Sequence, residues 1–111
     1  MKFRTDFVTN SSSSSYMVLA IEDDVINKIF DIENIDEENT NLWDYNFKVS
    51  KLEAIYDSSG LRWLCQVLGE KDLRQKTLNQ LEIDLVDELN EEYHLGLTID
   101  DVYFENEIVY G

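Results

Sequence analysis

A chain of 111 residues is sized for one domain, expected to span 1–111, and five Phe, two Trp and six Tyr supply ample core material. Twenty-four acidic residues against nine Lys and Arg give a formal charge of −15, which repels nucleic acid and anionic lipid across about 8–10 Å of ordinary buffer and favours basic partners. One Cys and one His exclude an intrachain disulfide and a structural zinc site within one chain, and the polar N-terminus and lack of a long apolar run point to a soluble, cytoplasmic protein.

There is no proline, so Gly, Asn, Asp and Ser must punctuate the elements. Residues 2–8 place Phe3 and Phe7 on one side and read as a short strand. Residues 9–15 form a Ser-rich loop, and the apolar run 16–22 reads as a buried strand, so the N-terminus is expected to be a β-hairpin. Asp23 or Asp24 caps a helix near 24–32, with Val25, Ile29 and Ile32 on one face and Ile26 and Phe30 widening it. Residues 33–41 are an acidic surface loop. The alternation of Trp43, Tyr45, Phe47 and Val49 predicts a strand near 43–49, while 50–57 fits either a strand or a helical turn. Ser58, Ser59 and Gly60 break the chain. Leu61, Leu64, Cys65 and Leu68 then have helical spacing, predicting a helix near 60–68 ended by Gly69, with Trp63 and Val67 on its other side.

A helix over 77–93 is the strongest prediction. Thr77 and Gln80 have capping-box spacing, and Leu78, Leu81, Leu85, Val86, Leu89 and Tyr93 form an apolar stripe about 140° wide. Glu82, Asp84, Asp87, Glu88, Glu91 and Glu92 crowd the remainder, and Gly96 supplies the left-handed stop. Acidic residues near the C-terminus oppose the helix dipole, so packing must hold this helix. Residues 97–110 give strand structure near 102–110, with a tight turn at Glu105, Asn106 and Glu107. The fold class is α+β.

Phe7, Val8, Thr9, Asn10, Ser11 to Ser15 and Tyr16 form a pattern that resembles an N-terminal segment opening many uncharacterised bacterial and phage proteins. The resemblance covers about a tenth of the chain, and Tyr16 stands where Phe is more familiar. It implies either a portable structural hairpin or an address read by a host factor. The strand-forming residues on both sides favour the hairpin. It carries no functional residues.

Catalytic chemistry has little to work with. Any nucleophilic arrangement must use His94, the only histidine, and Cys65 lies on an apolar face as a packing thiol. His94 follows the long helix, where it suits the last carbonyls. Asp36, Glu37 and Glu38 with Asp44, and Asp100 with Asp101, are the densest carboxylates. The first group lacks the glycine and closing Glu of an EF-hand loop, so both read as solvated loops. No phosphate-binding glycine loop is present. The expectation is therefore a protein that is no enzyme, with no catalytic, cofactor or metal residues. It reads as an acidic interaction module, of inhibitor or immunity type, for a protein partner with a basic surface. Asp84, Asp87, Glu88 and Glu91 on the long helix, with Trp63, are the candidate partner-binding residues. The alternative is a self-assembling structural subunit with Trp63 and Val67 as its seam.

Overall fold

A computed structural model describes the backbone of residues 13–110 and the side chains of 16–107. The expected strand at 2–8 and the first part of the Ser-rich loop lie outside the described residues. In chain order the elements are β1 (Ser13–Ile21), α1 (Asp23–Glu33), β2 (Leu52–Asp57), β3 (Gly60–Val67), α2 (Glu70–Gln75), α3 (Leu78–Tyr93), a 3-10 turn (Ile99–Asp101) and β4 (Val102–Tyr110). The strands form an antiparallel sheet in the order β2-β3-β1-β4, and the protein is a small α+β domain.

The sheet carries apolar side chains on both faces. Leu19, Ile21, Leu52, Ala54, Leu64 and Val102 join Val25 and Ile29 of α1 and Leu81, Leu85 and Leu89 of α3 in the main core. Tyr16, Val18, Ala20, Ile55, Trp63 and Cys65 form a separate buried cluster. The two clusters take alternate residues of β1 and β3, because successive side chains of a strand point to opposite faces. β1 is central and buried on both sides, so its run reads as continuous apolar sequence, as expected for 16–22. It starts earlier than expected, however: Ser13–Ser15 are paired with β4 rather than looped.

The helix expected near 60–68 is strand β3. Leu61, Leu64, Cys65 and Leu68 imitate a helical stripe only because β3 is apolar on both faces, which erases the two-residue period. Leu64 enters the main core, and Trp63 and Cys65 enter the second cluster. Gly69 precedes α2 as its N-cap instead of ending a helix. The ambiguous 50–57 resolves into β2. The β2–β3 turn is held by Asp57, whose Oδ1 accepts from the N–H and hydroxyl of Ser59, and Gly60 closes it at φ 127°, which only glycine adopts without strain.

The strand expected near 43–49 does not form; these residues are turns and irregular chain. Leu42, Phe47 and Val49 are buried. Local bonds satisfy the backbone instead of a ladder: Asn41 Oδ1 accepts from Trp43 N–H, and Leu42 C=O accepts from Tyr45 N–H. The alternation therefore marks a loop pinned to the core. The turn expected at Glu105, Asn106 and Glu107 is also absent, because β4 pairs unbroken with β1 from Val102↔Ile21 to Tyr110↔Ser13.

Both long helices form where expected, with corrections at their ends. Glu22 is the N-cap of α1 and makes no side-chain capping bond, while Asp23 and Asp24 sit in the first turn facing the positive end of the dipole. Ile32 is exposed rather than core. In α3, Thr77 accepts from Gln80 N–H, but Gln80 turns its amide to Asp84, so the box is one-armed. His94, at φ 54°, takes the left-handed stop ahead of Gly96, and its N–H bonds Asn90 C=O. The Asn90 side chain then brackets Leu97 through both its N–H and C=O.

Candidate functional site

The four candidate acidic residues among the six on α3 divide into two pairs. Asp84, Asp87, Glu88 and Glu91 lie within about 100° of the helix circumference, on the side away from the core stripe. Asp84 accepts from Lys76 Nζ at 2.5 Å and from Gln80 at 2.9 Å, and these two bonds hold its carboxyl below the usual range. Glu88 pairs with Lys51 at 3.0 Å. Asp87 and Glu91 are exposed and make no ion pair among the described residues. They stand four residues apart, where like charges repel across one helical turn.

Beside Asp84 lies a recess of about 170 Å³ between α2, α3 and the ends of β2 and β3, lined by Lys51, Gln66, Asp72, Gln75, Lys76 and Leu81. Its charges cancel, and Lys51 and Lys76 are both engaged by α3 carboxylates. Gln66 Oε1 is buried at its edge without a hydrogen-bond partner among the described residues.

Trp63 belongs to neither feature. It is only 4% exposed, in the second cluster, meeting Tyr16 edge-on at 6.4 Å between ring centres. The expected grouping of Trp63 with the acidic helix therefore fails, because α3 packs into the main core. The expected surface seam with Val67 fails too, because the indole is covered. A bulge between β2 and β3 leaves Arg62 without an opposite residue and turns it over the Trp63 ring, 4.9 Å from its centre. Arg62 there bonds Asp57 at 3.3 Å and Glu107 of β4 at 2.5 and 2.6 Å, tying β3 to β4 across β1. Nothing in the spacing of the sequence showed this clasp, since it depends on a one-residue bulge.

A second arrangement that the sequence did not reveal centres on Glu33, at the end of α1. Its carboxylate accepts from Tyr45 Oη and Lys48 N–H, each at 2.8 Å, and from Tyr93 Oη. Three segments distant in sequence are fastened at one point. Burial, then the bond to Glu33 and its charge, pushes the Tyr93 phenol well above its ordinary range, and Tyr45 is raised first by its bond to Glu33.

Cys65 and His94 do not meet. Cys65 is fully buried in the second cluster, while His94 is exposed at the end of a helix packed into the main core. Among the described residues no group of three or more Asp, Glu, His or Cys is arranged to hold a metal ion. Asp36 instead caps its own turn through Glu38 N–H and Asn39 Nδ2, and Asp101 accepts from Thr98 N–H. Among the described residues no helix is long and apolar enough to cross a membrane. Comparison with protein-family models, curated proteins and solved structures gave no match.

Proposed function

We propose that the chain is a small protein-interaction module, of inhibitor or immunity type, that docks a basic surface of another protein on the outer face of α3. Asp87 and Glu91, exposed and without an ion pair among the described residues on a helix anchored by Leu85, Val86 and Leu89, carry this reading. A rigid helix presents them at fixed spacing, and a cationic partner relieves the repulsion between them. The net charge of −15 adds long-range attraction for the same partner. Carboxylates so placed can occupy a nucleic-acid-binding cleft where phosphates would lie.

The test is capture of partners from the host lysate by the parent and by Asp87→Asn/Glu91→Gln. The expected result is a basic protein retained by the parent at low salt, lost at high salt, and lost at both by the variant. Asp84→Asn/Glu88→Gln serves as the contrast, because its carboxylates already belong to Lys76 and Lys51, and it retains more of the partner. Equal capture by parent and Asp87→Asn/Glu91→Gln refutes the proposal.

A further inference from the structure

β4 is an edge strand, with β1 on one side and no neighbour on the other among the described residues. The register shows which backbone groups face outward. Glu22 N–H donates to Asp101 C=O at 3.1 Å, and Leu68 N–H donates to Met17 C=O at 2.8 Å. Alternate residues of an antiparallel strand bond to alternate neighbours, so Tyr16, Val18 and Ala20 bond toward β4. Their partners are Glu107, Glu105 and Tyr103, whose N–H and C=O groups are thereby used. Phe104 and Asn106, between them, turn theirs away from the sheet.

The side chains along this edge alternate as well. Phe104 shares a face with core residue Val102 and is 38% exposed, and Asn106 beside it is also exposed. Tyr103, Glu105 and Glu107 take the other face. Glu105 and Glu107 therefore flank one face of the strand beside Tyr103, whose phenol is raised first by burial and then by the charges of Glu22, Asp23 and Glu105. Glu107 is bonded to Arg62, and Glu105 has no ion pair among the described residues.

We propose that the outer edge of β4 accepts an extended cationic peptide segment as an added strand. The segment pairs with the backbone of Phe104 and Asn106, sets an apolar side chain against the Phe104 ring, and places Lys or Arg beside Glu105. Charge decides between this occupant and a second copy of the chain. Antiparallel self-pairing about Asn106 sets Glu105 of each copy opposite Glu107 of the other, between chains that each carry −15. Like charges directly opposite are unfavourable, and charged edges are a known bar to self-association. A peptide with cationic alternate residues meets the same carboxylates favourably and adds main-chain hydrogen bonds.

This inference is independent of the α3 face, and the experiment separates them. The probe is a fluorescein-labelled, end-blocked peptide of alternating Lys and Val, titrated by anisotropy, beside an alternating Glu and Val peptide. Two N-methylated Lys-Val peptides carry methyl groups on alternate residue sets, so each blocks one edge of the peptide. The parent is expected to bind the Lys-Val peptide and ignore the Glu-Val peptide. One methylated peptide should weaken by at least about tenfold and the other bind as before, since pairing uses one edge only. Glu105→Lys should weaken binding by about 3- to 5-fold, the size of one cross-strand charge pair. Asn106→Pro removes the outward donor at an edge position that tolerates proline and should also lose the peptide. The methylated peptides keep the test decisive if that variant fails to fold. Asp87→Asn/Glu91→Gln should bind like the parent. Equal binding of both methylated peptides overturns the proposal, as does loss confined to the α3 variant. Sedimentation showing a parent dimer that Asn106→Pro converts to monomer also overturns it, assigning the edge to a second copy.

Discussion

Replacing Glu33 by Ala removes the acceptor that joins α1, the 42–49 loop and the end of α3. Tyr93 is only 3% exposed, so its hydroxyl loses an acceptor that water replaces poorly, at a cost of about 1–3 kcal/mol. The bonds from Tyr45 and Lys48 N–H lie nearer solvent and add about 1 kcal/mol together. The variant should lose about 2–4 kcal/mol, which for a domain this size lowers Tm by about 8–16 °C. Urea and thermal unfolding followed by circular dichroism at neutral pH measure this. Tyr93→Phe removes the group that needs the carboxylate, so the double variant should cost less than the sum of the singles by about 1–2 kcal/mol. Additive costs, or a Glu33→Ala penalty under about 0.5 kcal/mol, refute the reasoning.

Tyr45, Tyr56, Tyr93 and Tyr103 all have phenols raised above the ordinary value of 10.0. Their contribution is full below the unfolded value and is lost as pH climbs past it toward the folded values, so stability should fall on the alkaline side, and less steeply in Tyr93→Phe. Phenolate absorbance that reaches the full value for all six tyrosines at the ordinary tyrosine pH in the folded protein contradicts this. Asp84 runs the other way: Lys76 and then Gln80 lower its carboxyl, so its contribution is present above the unfolded value and lost as pH falls through the folded one. Asp84→Asn should flatten the acid limb of the stability curve; an unchanged limb counts against the ion pair. Trp63→Ala should cost about 3–5 kcal/mol in urea unfolding, because the indole is buried between Tyr16 and Arg62, and a loss under about 1 kcal/mol contradicts that packing. A thiol reagent should label Cys65 only as fast as the native protein opens, and prompt labelling is the contrary result.

The elements legible in the sequence are those whose burial is one-sided or complete. α3 has a single core stripe against a charged face, so Leu81, Leu85, Leu89 and Tyr93 announce their own helix. β1, central in the sheet, reads as a strand because Val18, Leu19, Ala20 and Ile21 are all covered. β3 is misread for a related reason: Trp63 and Cys65 serve one cluster and Leu64 the other, and the two-sided demand leaves a spacing that a helix can imitate. The Trp43 to Val49 alternation misleads because a loop anchored at Leu42, Phe47 and Val49, with Trp43 and Tyr45 half-buried, covers apolar side chains without a ladder partner.

The acidic character of the chain and the carboxylate row of α3 follow from composition and helical period alone, since both are local properties. Which of those carboxylates remain unpaired does not. Lys51 and Lys76 lie outside α3, and only the fold brings them to Glu88 and Asp84 while leaving Asp87 and Glu91 without an ion pair among the described residues. The same holds for Glu33, whose three donors come from two later segments, and for the outward backbone of Phe104 and Asn106, which is set by strand order and register. Periodicity reports how one segment divides its own faces. Contacts between distant segments depend on how those faces pack, and a single sequence carries no separate signal for that.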